Sequence, residues 1–189
     1  MSPQTINRLK LLGIGVLAIL PVVGSYLLYV FWLPESHTNY GQLLEPKQIP
    51  QAKLVLADGK PFAVEQLRGR WAFVVVDAGN CDAHCEEKLW KIRQVRQAQG
   101  KDLGRVERVW LIDDGKDPPA HIGRDYAGTW MIQQGTKPVL PVFAAERSNR
   151  DHIYLVDPLG NVMMRFPQAA DPKLMIKDLA RLLKYSRIG

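Results

Sequence analysis

Residues Leu11 to Leu33, "LLGIGVLAILPVVGSYLLYVFWL", carry no charged side chain, and no other stretch constrains this chain as tightly. At about 1.5 Å per residue a helix of this length crosses the roughly 30 Å hydrocarbon core of a bilayer. Gly13, Gly15, Pro21 and Gly24 would weaken a soluble helix but are tolerated in a transmembrane one, and Tyr26, Tyr29 and Trp32 crowd the far end as an interfacial aromatic belt does. The run is too long for the apolar part of a signal peptide, and no Ala-x-Ala site follows it, so an uncleaved anchor is expected. Arg8 and Lys10 precede the run and no Lys or Arg follows it until Lys47. The positive-inside rule then keeps the N-terminus in the cytoplasm and exports the remainder. In a bacterium this means a single-pass protein of the inner membrane with its C-terminal domain in the periplasm, where a disulfide persists.

The formal charge of +6 does not indicate a nucleic-acid binder. Lys and Arg alternate with Asp and Glu, and no basic tract stands out. The expected organisation is a cytoplasmic N-terminus over 1–10, an anchor over 11–33, a tether over 34–51 with at most one ordered segment, and a folded domain over 52–189.

Within the domain, "AKLVLADGKPF" reads as a hairpin around Asp58-Gly59. "WAFVVVDAG" is a continuous apolar run, the pattern of a strand buried on both faces. A helix is expected from Asp82 to Gln99, capped by Asn80 or Asp82, with Cys85, Leu89, Ile92 and Val95 on its apolar stripe. "VERVWLIDD" and "HIYLVDP" read as strands, "VMMRF" as the second arm of a hairpin, and Asp171-Pro172 as the start of a last helix. The segment 118–148 is read only as proline-rich, with a helical stretch near Gln133. Strands that alternate with helices before a closing hairpin predict an α/β sandwich with a mixed sheet.

The only cysteines, Cys81 and Cys85, lie in "GNCDAHCEEKLW", where the buried strand gives way to the helix. Free N–H groups and the helix dipole favour a thiolate there, the form that attacks disulfides and binds metals. Spacing i to i+4 sets both sulfurs on one side of the first turn. They are then able to form a fixed disulfide, exchange with another disulfide, or hold a soft ion. Zinc would need four ligands; copper(I) is served by two thiolates with one imidazole. Of His37, His84, His121 and His152, the first three are read as surface residues, and His152, at the start of "HIYLVDP", as the candidate third ligand.

"LRGRWAFVVVDAGNCDAHC", "VWLIDDGKDPPAHIGRDY" and "DHIYLVDPLGNVM" together resemble the Sco/SenC family of cytochrome oxidase assembly proteins, from about Gln51 to the C-terminus. The resemblance implies a membrane-anchored thioredoxin-like sandwich that binds copper through Cys81, Cys85 and His152. It also implies cytochrome oxidase subunit II, or another assembly factor, as partner. The chain departs from the family at three points. Asp82 and Glu86 stand where proline is usual, the aromatic residue before the cysteine motif is missing, and His152 is two residues before Tyr154 with Asn149 at the ungapped histidine position. A redox role for Cys81 and Cys85 as nucleophile and resolving thiol, and a non-catalytic docking module with a structural disulfide, remain the alternatives.

Overall fold

The computed structural model describes residues 3–31, 39–186 and 188. Two compact units divide between residues 38 and 39. The first contains helix α1, Pro3–Phe31. Within it Leu12–Phe31 has a mean hydropathy of 2.2 and no buried residue, which makes it long and apolar enough to cross a membrane once. Trp32, Leu33 and His37 lie outside the described residues.

The second unit is built on one eight-stranded mixed sheet. Its strands are β1 (Gln42–Gln48), β2 (Leu54–Leu56), β3 (Pro61–Phe62), β4 (Trp71–Asp77), β5 (Val106–Ile112), β6 (Trp130–Gln134), β7 (His152–Val156) and β8 (Asn161–Pro167), in the spatial order 1-8-7-4-5-6-2-3. The pairs β4–β5 and β5–β6 are parallel and the rest antiparallel. Helices α2 (Ala83–Gln97), α3 (Ala120–Asp125) and α4 (Pro172–Tyr185) complete the unit.

All seven residues of β4 and of β5 are buried, as the uninterrupted apolar run of β4 requires. Successive side chains leave a strand on opposite faces, so Phe73, Val75, Ile153 and Leu155 meet Leu89 and Ile92 of α2 and Leu179 of α4. Val74, Val76, Tyr154 and Val156 enter a second core with Leu54, Phe62, Ile132 and Phe143. The expected sandwich is present, with helices on one face and irregular segments on the other.

Two local expectations are corrected. The stretch near Gln133 is strand β6, not helix: Trp130 pairs with Val109 and Ile132 with Leu111. Gly135, at φ 75°, closes it where a side chain would collide with the Lys53 carbonyl. Five residues with two glycines nearby are too few for a stable helix, and an open edge of β5 satisfies their backbone instead.

The folded sheet also begins earlier than the tether reading places it. Strand β1 pairs with β8. Ahead of it, the Gly41 N–H donates to the buried Asp178 carboxylate at 2.8 Å, and a Cβ at Gly41 would collide with Met164 and Phe166. Residues 42–48 read poorly as a strand because most of them face solvent, so no period-two pattern marks them.

Candidate functional site

Strand β4 ends at Asp77, and the chain reaches α2 through a five-residue turn carrying Cys81. The Asp82 side chain caps α2 by accepting from the Cys85 N–H at 3.0 Å. That bond is the main reason its carboxyl sits below the ordinary carboxylate range. Cys81 adopts φ 40°, a left-handed conformation that costs a non-glycine residue about 1–2 kcal/mol. The turn bends so tightly because Gly79 lies against the Lys116 carbonyl, where a Cβ would approach to 2.1 Å.

Cys81 and Cys85 form a disulfide with a Cα–Cα separation of 5.1 Å, inside the usual range for such bonds. Cys85 is fully buried on the α2 stripe and Cys81 is 7 % exposed. Of the two residues, Cys81 is the less completely buried.

The turn is held by charged groups that the sequence reading did not single out. The Gly79 N–H donates to Asp114 at 2.8 Å. Arg150, just before β7, donates through Nε and Nη2 to the two oxygens of Asp113, at 2.8 and 2.6 Å. Lys88 is only 1 % exposed. Its Nζ meets Asp77 at 2.6 Å and donates to the carbonyls of Arg150 at 2.5 Å and Val76 at 3.2 Å. Burial pulls the Lys88 pKa down against the opposing charge of Asp77. The available signal was helical register: Lys88 is three residues after Cys85, so it lies beside the apolar stripe. Asp77 was hidden as the last residue of an apolar run.

His152 is not brought to the cysteines. It shares the strand face of Tyr154, whose ring meets its own edge-on at 6.0 Å, whereas Cys81 and Cys85 pack with Ile153 and Leu155 on the opposite face. Its imidazole lines a small cavity with Gln42, Asp151 and Arg165. Among the described residues no three Cys, His, Asp or Glu side chains are grouped to hold a metal ion. His84 is exposed, and so is His121, 4.0 Å from Glu86. In the structure the two cysteine sulfurs of the turn are bonded to each other.

Residues 71–186 match the family of transmembrane-like, thioredoxin-like C-terminal domains, and the chain belongs to that family. No curated protein matches it. Among solved structures it is similar to copper-bound yeast Sco1, with 18% identity, a TM-score of 0.61 and coverage of 76% of this chain and 96% of that one. Copper-bound ScoI of Bradyrhizobium japonicum gives 20% identity and a TM-score of 0.56, over 71% and 99% of the two chains. A thiol:disulfide interchange protein from a Bacteroides species gives 15% and 0.55, over 77% and 93%. The likeness to Sco and SenC structures read from the sequence is therefore real at the level of the fold.

Two outcomes are expected from this geometry. Asp77→Ala leaves the Lys88 ammonium buried and unpaired, so urea denaturation should show a loss of about 3–5 kcal/mol. His152 has its pKa lowered, first by burial and then by Arg165. The folded state consequently binds fewer protons than the unfolded one below the ordinary histidine value of about 6.5. This contribution to stability is present above that pH and is lost as pH falls through the lowered value. Melting temperatures recorded from pH 7 downward should fall less steeply in His152→Gln.

Proposed function

We propose that the protein is a membrane-anchored thiol–disulfide protein assisting cytochrome oxidase assembly, with its domain on the periplasmic side of a bacterial inner membrane. Cys81 and Cys85 are its working groups. The observation that carries the reading is the Cys81–Cys85 disulfide at the β4–α2 junction, with Cys85 fully buried and Cys81 slightly more exposed. The anchor helix and the positive residues before it support the location.

In the reduced state the helix N-terminus favours the thiolate of Cys81. That thiolate attacks one sulfur of a disulfide on the copper-receiving subunit, forming a mixed disulfide and releasing the other sulfur as a thiolate. Cys85, deprotonated in turn, attacks the Cys81 sulfur. The 81–85 disulfide closes, the second receiver thiol leaves, and two electrons have passed to the receiver. A dithiol donor returns the pair to the reduced state. Cysteines reduced in this way become ligands for copper.

A second reading is favoured by the copper-bound state of the similar yeast and Bradyrhizobium structures. In it, copper(I) is the cargo and the reduced Cys81 and Cys85 carry it as thiolates, a soft donor pair that suits this ion. His152, on the other face of the sheet, is not needed as a ligand for it.

Cys85→Ser removes the resolving thiol, so it should accumulate a mixed disulfide with an oxidised copper-receiving domain, seen as a mass adduct that dithiothreitol dissolves. Absence of the adduct while Cys81 is free and reduced would exclude exchange. Anaerobic titration of the reduced full chain tests the cargo reading. One tight copper(I) equivalent, lost in Cys81→Ser and kept in His152→Ala, is expected from a two-thiolate site; loss in His152→Ala would restore the three-ligand assignment.

A further inference from the structure

A cavity of about 700 Å³ lies along α3 and the start of β6. Its volume is that of a small-molecule site, commonly about 300–1,000 Å³. Leu56, Pro118, Pro119, Ala120, Trp130 and Met131 give it apolar walls. Its charged lining consists of Asp58, Glu107 and Arg96.

The charges are unequally matched. Asp58 pairs with Lys60 at 2.8 Å. Glu107 pairs with Arg70 and also accepts from the Trp130 indole N–H at 3.1 Å. The arginines have no such partners. Arg96 donates from Nε to the Val106 carbonyl at 2.6 Å, Arg93 from Nη1 to the Asp125 carbonyl at 2.9 Å, and Arg108 from Nη2 to the Ala127 carbonyl at 2.7 Å. Among the described residues no carboxylate forms an ion pair with any of the three. Burial, then the like charges of Arg96 and Arg93, pull the proton affinity of Arg108 down.

Arg108 is 5 % exposed, and its Nε and Nη1 have no hydrogen-bond partner. The Thr129 hydroxyl, on a residue lining the cavity, is buried and unpartnered as well. The Arg108 Nη2 lies against the Ala127–Gly128 backbone, and both of those residues line the cavity. Gly128 is at φ 80°, and a Cβ there would lie 3.3 Å from Arg108 Nη2. The absent side chain keeps this wall thin. Of the carboxylates, Glu107 opposes the lowering of the Arg108 proton affinity only weakly and is not ion-paired to Arg108. Buried cations so incompletely compensated are costly, and guanidinium groups pair well with carboxylate and phosphate.

We propose that this cavity is a binding site for an organic anion, an acidic head on an apolar body. Arg96 pairs with the head at the cavity surface, Arg108 adds its charge from behind Gly128, and the body lies against Trp130, Met131 and the Pro118–Ala120 wall. The site uses neither cysteine and stands independently of the thiol chemistry.

Calorimetric titration of the full chain with decanoate tests it, with decanol and inorganic phosphate as the separate body and head. One saturable equivalent of decanoate is expected, with decanol and phosphate each at least about tenfold weaker. Arg96→Gln should weaken decanoate at least about tenfold, and Ala120→Trp, which fills the cavity, should abolish binding. Circular dichroism identifies any variant that fails to fold, and the three-ligand comparison on the unaltered chain stands without variants. Decanol binding as tightly as decanoate would reduce the site to apolar adsorption and overturn the proposal. Phosphate binding as tightly as decanoate would overturn the role of the apolar body, and absence of decanoate binding, or indifference to Arg96→Gln, would overturn the site.

Discussion

Strand β4 is buried on both faces along its whole length, and the arrangement of the working end follows from that burial. Every backbone group of such a strand must find a partner inside the protein. The antiparallel pairing with β7 on one side and the parallel pairing with β5 on the other supply those partners. The chain leaves this enclosure at Asp77 and must turn back at once to lay α2 over Phe73 and Val75. The cysteines sit in that turn. Their closeness to a helix N-terminus, the left-handed Cys81 and the approach of Gly79 to Lys116 all result from reversing direction in so few residues.

Burial at the same place sets the electrostatics. Asp77 is the first charge after six apolar or aromatic residues, and its face turns it toward α2, where Lys88 meets it. Neither charge would persist there alone. The ammonium also takes the Arg150 carbonyl, while the Arg150 guanidinium takes Asp113 at the end of β5. Two linked ion pairs therefore tie the ends of three neighbouring strands to the helix that bears Cys85. A cysteine turn fixed in this way keeps its two sulfurs within bonding distance.

Strand parity explains why the histidine expectation and the cysteine expectation come apart. His152 and the cysteines look adjacent when the strand's start is drawn beside the turn. A residue at the start of β7 nonetheless faces one side of the sheet or the other, and the identity of its neighbours decides which. Ile153 and Leu155 take the helical side, so His152 goes with Tyr154 to the opposite one. The position nearer the turn is taken by Arg150, whose charge engages Asp113.

The sequence by itself determined the elements whose signal is local. The long uncharged N-terminal helix, the apolar run of β4, the capped helix after it, the closing hairpin and the proline-led α4 each follow from local composition, periodicity, capping or turn chemistry. Cys81 and Cys85 were legible because only four positions separate them, and a helical turn brings such positions together. Tertiary structure decided what depended on distant partners. Strand β1 exists because β8 offers an edge, and β6 because β5 does. Lys88 and Asp77 pair because a strand and a helix cross; Arg108 lies beside Arg96 and Arg93 because β5 runs under α2. No single-residue propensity encodes such meetings, since their free energy comes from removing both partners from water together.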